Sequence, residues 1–170
     1  AVSFDVYGLR SYVLDGINFT VKKGQRVGLV GESGCGKTTT LKAILRVLAK
    51  NGRIDSGDIE FEGNSIYGMK ADKLAHMRQT GVGMIFQDPS SALNPVFTIE
   101  SQFLTALKYA YNKTKTKSEL QKIAIEALES VMLPDPERIM SSYPFQLSGG
   151  MRQRVCIAIT IACLLYTSDA

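Results

Sequence analysis

Residues Gly31-Glu-Ser-Gly-Cys-Gly-Lys-Thr38 decide the fold class of this 170-residue chain. They match the phosphate-loop pattern G-x-x-x-x-G-K-[ST], in which backbone N–H groups and a lysine surround the phosphates of a nucleoside triphosphate. The flanks also fit, because Gln25–Val30 has the apolar pattern of a short buried strand and Lys37–Leu48 has apolar residues at helical spacing. A strand, a glycine loop and a helix in this order predict a nucleotide-binding α/β domain.

The residues of this loop have separate expected roles in holding the nucleotide, which we expect to be ATP. The glycines let successive N–H groups turn toward a phosphate without a Cβ clash, and the helix N-terminus adds a partial positive charge. Lys37 is expected to reach the β- and γ-phosphates, Thr38 to ligate Mg²⁺, and Thr39 to contact the α-phosphate. The predicted nucleotide-binding residues of the loop are Gly31, Glu32, Ser33, Gly34, Cys35, Gly36, Lys37, Thr38 and Thr39.

The composition is that of an ordinary globular protein and argues against several classes of function. The chain is 45% hydrophobic and 21% charged with a net charge of +4, and its positive charges are scattered except at Lys113–Lys117. A solvated loop or helix start explains that run, so we expect no direct nucleic-acid partner. Cys35, Cys156 and Cys163 lack the paired spacing of metal sites and are expected to be reduced thiols. The longest apolar run, Val155–Leu165, is too short for a bilayer span, which needs about 20 residues.

Strand-like patterns lie in the first half of the chain. Val2–Tyr7 and Val13–Val21 alternate apolar and polar residues, which predicts antiparallel strands with one solvated face. Asp58–Phe61 is a short strand between turns, and Val82–Phe86 has the apolar pattern of a second buried strand. His76, the single histidine, falls in a polar segment and is expected at the surface.

The region 89–147 is predicted to be helical. Ile99–Tyr111 and Leu120–Met132 carry apolar residues at the spacing of one helix face. Pro134 and Pro136 follow the second segment and end it, since proline cannot continue a helix. A strand-rich half is therefore followed by a helical one.

Two further segments narrow the choice among phosphate-loop proteins. Phe86-Gln-Asp-Pro89 and Leu147-Ser-Gly-Gly-Met-Arg-Gln-Arg154 follow the phosphate loop in an order and at a spacing that resemble the Q-loop and signature motif of ATP-binding-cassette (ABC) transporter subunits. The resemblance covers residues 1 to about 163. The longer stretches Phe86–Pro95 (FQDPSSALNP) and Ser142–Arg154 (SYPFQLSGGMRQR) resemble the oligopeptide/dipeptide importer branch, which also includes nickel and some sugar importers.

Gln87 gains a role from this resemblance. It follows a predicted buried strand, so its amide would emerge at the carboxyl end of that strand, where ligand sites of α/β proteins lie. There the carbonyl oxygen is expected to touch Mg²⁺ or the attacking water, and in the family this loop also contacts the membrane domain. Taken alone, Gln87 is more simply a polar residue that ends a strand.

The signature segment has two compatible interpretations. Ser148 could be the N-cap of the long helical run that follows, with glycines in the entry turn. A helix N-terminus with bare N–H groups and a serine hydroxyl is also an anion site. The resemblance implies that the segment faces the γ-phosphate of ATP on the opposite subunit of a dimer. The segment contributes Ser148, Gly149, Gly150 and Met151 to the predicted nucleotide site. The predicted catalytic residues are Lys37, Gln87 and Ser148 (in trans), and the predicted metal ligands are Thr38 and Gln87.

An aromatic residue near the start of the chain is expected to stack on adenine. Tyr7 resembles the aromatic residue that does so in the family, and a tyrosine face stacks on any base. Tyr12 is a rival for the same role, and either residue could be an ordinary strand aromatic.

The resemblance implies an α/β fold with a P-loop NTPase core, an antiparallel β subdomain and an α-helical subdomain. The core is assigned to residues 1–88 and 148–163, and the helical signature subdomain to residues 89–147. Family members continue past the signature helix into an apolar strand ending in Asp-Glu, whereas here the match stops near Cys163 and Asp169 is no credible substitute. We therefore expect an incomplete C-terminus, a non-native tail at 164–170, and negligible ATP hydrolysis by the chain as written.

The parent protein is expected to be the ATP-binding subunit of an importer. It would couple Mg-ATP hydrolysis to transport of peptides or a related solute such as nickel or an oligosaccharide, at the cytoplasmic face of the membrane. The expected partners are permease subunits contacted through the Gln87 region, a second identical or paralogous ATPase subunit, and indirectly an extracytoplasmic solute-binding protein. The alternatives are a soluble ABC-type ATPase without a permease, which the compact spacing from Gln87 to Ser148 disfavours, and a catalytically dead ATP-binding fragment.

Overall fold

The chain divides into two compact units, Ala1–Leu74 and Ala75–Ala170, which we call the first and the second unit. The computed structural model describes residues 1–111 and 114–165. Lys113 of the predicted basic run and residues 166–170 of the predicted tail lie outside the described residues. The subdomain boundaries predicted from the sequence remain predictions. Within the described ranges, no helix is both long enough and apolar enough to cross a bilayer.

The first unit contains two small antiparallel sheets. Tyr7 and Gly8 join the first two strands with φ of +50° and +81°, the left-handed conformation that a two-residue hairpin turn of type I′ requires. This hairpin pairs Val6 with Leu9 and Val2 with Leu14. One sheet has the order β2-β1-β3 and the other pairs β4 with β5, where the strands are β1 Val2–Val6, β2 Leu9–Leu14, β3 Gly52–Ile54, β4 Glu60–Phe61 and β5 Asn64–Ser65.

Helix α1, Lys37–Ile44, follows the glycine loop as predicted but ends four residues earlier than its apolar spacing suggested. Arg46 has a φ of +51°, a left-handed conformation in which a right-handed helix cannot continue. The N–H groups of Arg46 and Val47 bond back to carbonyls of the last turn, at 3.0 and 2.9 Å. These bonds satisfy carbonyls that a helix end leaves without partners and so close α1 early.

Three of the predicted strands are wrong in whole or in part. Only the first two residues of Val13–Val21 belong to β2, and Gln25–Val30 and Val82–Phe86 form neither strand nor helix. Their apolar side chains remain accessible, with Val30 94% exposed and Phe86 40% exposed. An extended segment becomes a strand only when its N–H and C=O groups pair with a neighbouring strand, and these segments make no such pairing with described residues. Val2–Tyr7 and Asp58–Phe61 are confirmed as strands β1 and β4, the first without Tyr7 and the second reduced to its last two residues.

The second unit is helical, as predicted for the region after residue 89. A short helix α2, Ala71–His76, runs from the first unit into a π-helical turn at Met77–Gly81. Three-residue 3₁₀ turns lie at Pro89–Ser91 and Pro144–Gln146. The main helices of the second unit are α3 Ile99–Ala110, α4 Lys117–Ser130, α5 Pro136–Ser141 and α6 Gly149–Leu165.

Side-chain caps explain where the predicted helices begin. The Thr98 hydroxyl oxygen accepts the N–H of Ser101 at 3.3 Å and starts α3. At α4, Thr116 accepts the Glu119 N–H at 3.3 Å while the Glu119 carboxylate accepts the Thr116 N–H at 2.7 Å, which completes a capping box. Both predicted helices are confirmed within a few residues because their start signals and apolar stripes are local.

The apolar stripes of α3, α4 and α6 meet in one core within the second unit. Phe103 and Leu107 of α3, Leu120 and Leu128 of α4, and Val155 of α6 are all fully buried. This core fixes both ends of the segment that carries the signature motif, because the first residue of the motif, Leu147, and the residue after it, Val155, lie in the same cluster.

Candidate functional site

The glycine loop between the predicted strand and α1 depends on its glycines. Gly34 and Gly36 have φ of +85° and +94°, a conformation that side-chain-bearing residues rarely adopt. A Cβ atom on Gly36 would lie 2.5 Å from Leu14 Cδ2, and one on Gly31 would lie 2.5 Å from Cys35 Sγ. Glycine is therefore favoured at positions 34 and 36 by the backbone conformation, whereas at position 31 the Cys35 side chain would have to move.

The start of α1 leaves donors available to a ligand. Gly36 is the N-cap and provides no side-chain acceptor, and no acidic residue lies in the first turn. Thr40 donates its N–H and its hydroxyl to the Gly36 carbonyl at 2.8 and 3.0 Å. Among the described residues, the N–H groups of Lys37, Thr38 and Thr39 have no acceptor. Unpaired N–H groups and the helix dipole together favour an anion at this end of the helix.

Lys37 folds back over the loop that it terminates. Its Nζ donates to the carbonyl oxygens of Gly31 at 2.8 Å and Glu32 at 2.6 Å, and lies 3.5 Å from Cys35 Sγ. The ammonium group is thus held above the path of the loop, where it adds positive charge to the N–H groups of α1. Thr38 is exposed, and its hydroxyl makes no hydrogen bond with described residues, so it remains available as a metal ligand.

Gln87 is exposed at the start of an ordered turn in the second unit. Asp88 caps that turn, since its Oδ1 accepts the Ser90 N–H at 2.9 Å. The Ser91 hydroxyl donates to the Asp88 carbonyl at 2.8 Å. The Gln87 amide therefore lies beside a hydrogen-bonded turn, although the segment before it is not the strand that the sequence predicted.

Ser148 caps helix α6. Its Oγ accepts the Met151 N–H at 3.3 Å, and its carbonyl accepts the Arg152 N–H at 2.9 Å. A Cβ atom on Gly149 or Gly150 would meet nothing within 4 Å, so the surface over these two residues is open. The N-cap interpretation of Ser148 is confirmed, and the anion-site interpretation is compatible with it.

The second unit brings the Gln87 turn and the signature segment together. Arg152, directly after Ser148–Met151, donates from Nη1 to the Ser90 hydroxyl at 3.4 Å. Sequence reasoning gave no role to Ser90 or Arg152, although both lie inside the quoted motifs. Their charge and hydroxyl were visible in the sequence, but nothing in it indicates that residues 62 positions apart meet.

The two candidate adenine-stacking aromatics both lie on the β1–β2 hairpin. Tyr7 is fully exposed in the turn, and Tyr12 is 61% exposed on β2. An exposed ring face is what base stacking requires, so neither tyrosine is eliminated. The assignment of Tyr7 remains a prediction, with Tyr12 as its rival.

The thiols and the histidine match their predicted surroundings. His76 is exposed, and the three cysteines form no disulfide. Cys35 is exposed in the glycine loop, whereas burial raises the pKa of the Cys156 thiol and raises that of Cys163 to about 11. The two thiols of α6 are therefore protonated and unreactive at neutral pH. In the described part of the chain, no group of three His, Cys, Asp or Glu residues could hold a metal ion.

Comparison with known proteins places these features in a family. A family model described as "ABC transporter" matches residues 14–164. A probable peptide ABC transporter ATP-binding protein, y4tR of Sinorhizobium fredii, is 40% identical over 151 residues, which are 88% of this chain and 44% of that protein. The oligopeptide transport ATP-binding protein OppD of Bacillus subtilis is 38% identical over 163 residues, 95% of this chain and 45% of OppD. The chain therefore spans less than half the length of these relatives.

Solved structures give the same result for the fold. The dimeric structure of MJ0796, a bacterial ABC transporter cassette, superposes with a TM-score of 0.81 at 28% identity, over 94% of this chain and 66% of that one. A second MJ0796 structure, a post-hydrolysis dimer bound to ADP and Pi, gives a TM-score of 0.79 at 27% identity, over 95% of this chain and 69% of that one. These similarities confirm the predicted P-loop NTPase fold class with its antiparallel β and α-helical parts.

Proposed function

This chain belongs to the ABC transporter family, as its motifs suggested, and from that membership we propose that it is part of the ATP-binding subunit of a peptide importer. The complete subunit would bind Mg-ATP, pair with a second ATPase subunit and couple ATP hydrolysis to solute movement by a permease. Peptides are the proposed solute because several similar proteins are named as oligopeptide or dipeptide transport subunits.

The observation that carries this proposal is the loop Gly31–Thr38 at the N-terminus of α1. It offers unpaired N–H groups, glycine positions with no room for a side chain, and the Lys37 ammonium in one exposed segment. A triphosphate is the ligand that satisfies all of these groups at once, since its oxygens accept from the N–H groups and its charge is balanced by the lysine and the helix dipole.

Magnesium fits the same place by the chemistry of its donors. Mg²⁺ prefers oxygen ligands and is usually held by few protein groups together with substrate phosphates. The Thr38 hydroxyl is the proposed ligand from α1, and the assignment of the Gln87 carbonyl oxygen as a second ligand stays a prediction from the family resemblance. When bound, the ion would neutralise charge that develops on the phosphates.

The signature segment is proposed to complete the site of another subunit. Ser148 already orders the first turn of α6, and the open surface over Gly149 and Gly150 lets an anion approach the N–H groups there. A second copy or a paralogue would bring its own ATP to this surface. The dimeric arrangement of the MJ0796 cassettes supports this proposal.

The proposed partners follow from the same family membership. We assign the permease contact to the region around Gln87, place the subunit peripherally at the cytoplasmic face of the membrane, and include an extracytoplasmic solute-binding protein as an indirect partner. The names of the similar proteins support a transport role over that of a soluble ATPase without a permease.

Nucleotide binding by the 170-residue chain tests the first step. Equilibrium binding of a fluorescent ATP analogue with Mg²⁺ is expected for the unaltered chain, and Lys37→Ala should weaken it about ten- to a hundredfold because a charge-assisted contact is lost. Lys50→Ala, an exposed lysine of the same unit, should leave binding unchanged. Thr38→Ala should reduce the increase in nucleotide affinity that Mg²⁺ gives, whereas Thr38→Ser should retain that increase. Equal weak binding by the chain and by Lys37→Ala would refute the proposal.

A chimera tests the transport role. The 163 matched residues of OppD would be replaced by those of this chain and expressed in Bacillus subtilis cells that lack OppD. We expect uptake of a labelled oligopeptide and co-purification with the membrane subunits, both of which distinguish an importer from a soluble ATPase. The same chimera with Lys37→Ala should assemble without uptake. A chimera that binds ATP but neither assembles nor restores uptake would contradict the importer assignment.

A further inference from the structure

The turn that follows Gln87 is held rigidly by its own hydrogen bonds. Asp88 Oδ1 accepts the Ser90 N–H at 2.9 Å, and the N–H groups of Ala92 and Leu93 both donate to the Pro89 carbonyl at 3.2 Å. These bonds join residues from Asp88 to Leu93, and Gln87 directly precedes them in the chain.

Arg152 contacts both this turn and the start of α6. Its backbone N–H donates to the Ser148 carbonyl at 2.9 Å, and its Nη1 donates to the Ser90 hydroxyl at 3.4 Å. One residue therefore closes the first turn of the signature helix and reaches the turn beside Gln87.

The position of this guanidinium group carries a cost. The Arg152 Nε is buried and has no hydrogen-bond partner among the described residues. A surface arginine normally keeps its charged head in water, and a buried N–H without an acceptor loses the hydrogen bond that water would give. The Nη1 end of the same group lies at the surface, where it contacts Ser90, so the guanidinium group is part buried and part exposed between the two segments.

We propose that Arg152 is a positioning residue that couples the Gln87 turn to the N-terminus of the signature helix, so that a shift at either segment is felt at the other. The inference rests on the proposed function for its consequence, since Gln87 and Ser148 are then the ligand-facing residues of the two segments. Arginine suits the task because its side chain presents several donors in a planar fork, whereas lysine presents a single flexible ammonium group.

The coupling is reciprocal by thermodynamic necessity. If order at the Ser148 turn favours one position of Ser90, then holding Ser90 in that position favours order at the Ser148 turn by the same factor. A phosphate bound at Ser148–Met151 would then bias the Gln87 turn, and a contact at the Gln87 turn would bias the affinity of the signature segment.

Amide hydrogen exchange on the chain without nucleotide tests the coupling directly. Ser90→Ala should raise the exchange rates of the Met151 and Arg152 amides about two- to fivefold, although the substitution lies far away in the sequence. Arg152→Met should raise exchange at Ala92 and Leu93 by a similar factor. The double variant should add little to either single one, because both remove the same contact.

Matched variants separate coupling from general loss of structure. Arg154→Met removes another arginine of α6, whose Nη1 donates to the Met132 carbonyl at 3.0 Å, and should leave Ala92 and Leu93 unchanged. Ser91→Ala removes a hydroxyl that bonds only within the turn, and should leave Met151 unchanged. Ser90→Thr restores the hydroxyl and should return Met151 toward its original rate.

The outcomes test the coupling through Arg152 and the proposed ATP-binding function separately. Effects confined to the mutated segment, or equal effects from Arg154→Met, would overturn the coupling. If Arg152→Met unfolds the helices, an unchanged Met151 rate in Ser90→Ala still overturns it. Coupling in a chain that does not bind ATP would support this inference and contradict the proposed function. ATP binding in a chain without the coupling would support the proposed function and contradict this inference.

Discussion

The two units of this chain bury their apolar residues very differently. In the second unit, α3, α4 and α6 enclose a continuous core in which Phe103, Leu120 and Val155 are fully buried. In the first unit, the cluster around Val2 and Leu14 is small. Many other apolar side chains of the first unit are at least 40% exposed, including Ile17, Phe19, Val21, Val27, Leu29 and Val30.

This difference reflects how helices and strands obtain their hydrogen bonds and their apolar neighbours. An amphipathic helix finds its hydrogen bonds within itself and needs only an apolar neighbour. A buried strand must find other strands that are distant in the sequence, and it gains little until they are in place. The second unit therefore has most of what its helices need within its own residues, while the glycine loop of the first unit lies next to apolar segments that pair with no strand among the described residues.

The largest predicted effect tests the difference in burial between the two units. Phe103→Ala should destabilise the second unit by about 3–5 kcal/mol, because it removes a fully buried ring and leaves a cavity. The matched change Phe19→Ala, at a half-exposed phenylalanine of the first unit, should cost under about 1.5 kcal/mol, well below the cost of a fully buried ring. Urea unfolding followed by circular dichroism measures both. Equal losses in the two variants would show that the apolar residues of the first unit are buried in solution.

The same contrast decides which elements the sequence could predict. The spacing in Ile99–Tyr111 and Leu120–Met132 predicted α3 and α4 closely, because helix signals lie within a few residues of one another. Gln25–Val30 had the composition of a buried strand, yet composition does not say which strand will pair with it. That prediction failed at the step where non-local hydrogen bonds are needed.

The candidate site divides in the same way. The phosphate loop could be predicted because its glycines, lysine and helix start are contiguous in Gly31–Thr38. The contact between Ser90 and Arg152 could not, because it depends on how α6 packs against a turn 62 residues earlier. Sequence motifs therefore predicted the ligand-facing groups, which stay predictions, and only the fold brought Ser90 and Arg152 together.

A second prediction compares the glycines of the two motifs. Gly36→Ala should cost about 1–3 kcal/mol, since alanine at a φ of +94° is strained and its Cβ would press on Leu14 Cδ2. Gly150→Ala should instead be neutral or stabilise by up to about 1 kcal/mol, because alanine favours the helix and the space there is open. Unfolding free energies of the two variants measure the difference. A stable Gly36→Ala would mean that the loop adopts another conformation in solution.

A third and smaller effect concerns the dual role of Ser148. Ser148→Ala should destabilise α6 by about 0.5–2 kcal/mol through loss of the N-cap, with the 3.3 Å distance to the Met151 N–H placing it toward the lower end. Ser148→Asp keeps an acceptor and adds charge that the helix dipole favours, so it should retain stability. The aspartate would, however, repel a phosphate, so stability and nucleotide-dependent dimerisation should separate in this variant. If Ser148→Asp lost as much stability as Ser148→Ala, the cap would not be the source of the effect.

The smallest effect is confined to alkaline pH and compares the two units once more. Burial raises the pKa of Cys163 from 9.0 to about 11 in the folded chain, and burial also raises the pKa of Tyr67 in the first unit. A raised pKa means that the folded state holds the proton more tightly than the unfolded state. The stability this contributes is therefore complete below about pH 9 and, for Cys163, is lost as the pH rises through about 11.

Unfolding free energies measured between pH 8 and pH 11 test this linkage. Cys163→Ala should flatten part of the alkaline decline in the second unit, and Tyr67→Phe should do so in the first unit. Each change removes a titrating group. If the unfolding free energy declined equally in both variants and in the unaltered chain, other groups would be responsible for the decline. A flattening by Cys163→Ala alone would contradict the prediction for Tyr67 and would show that its phenol is open to water in solution.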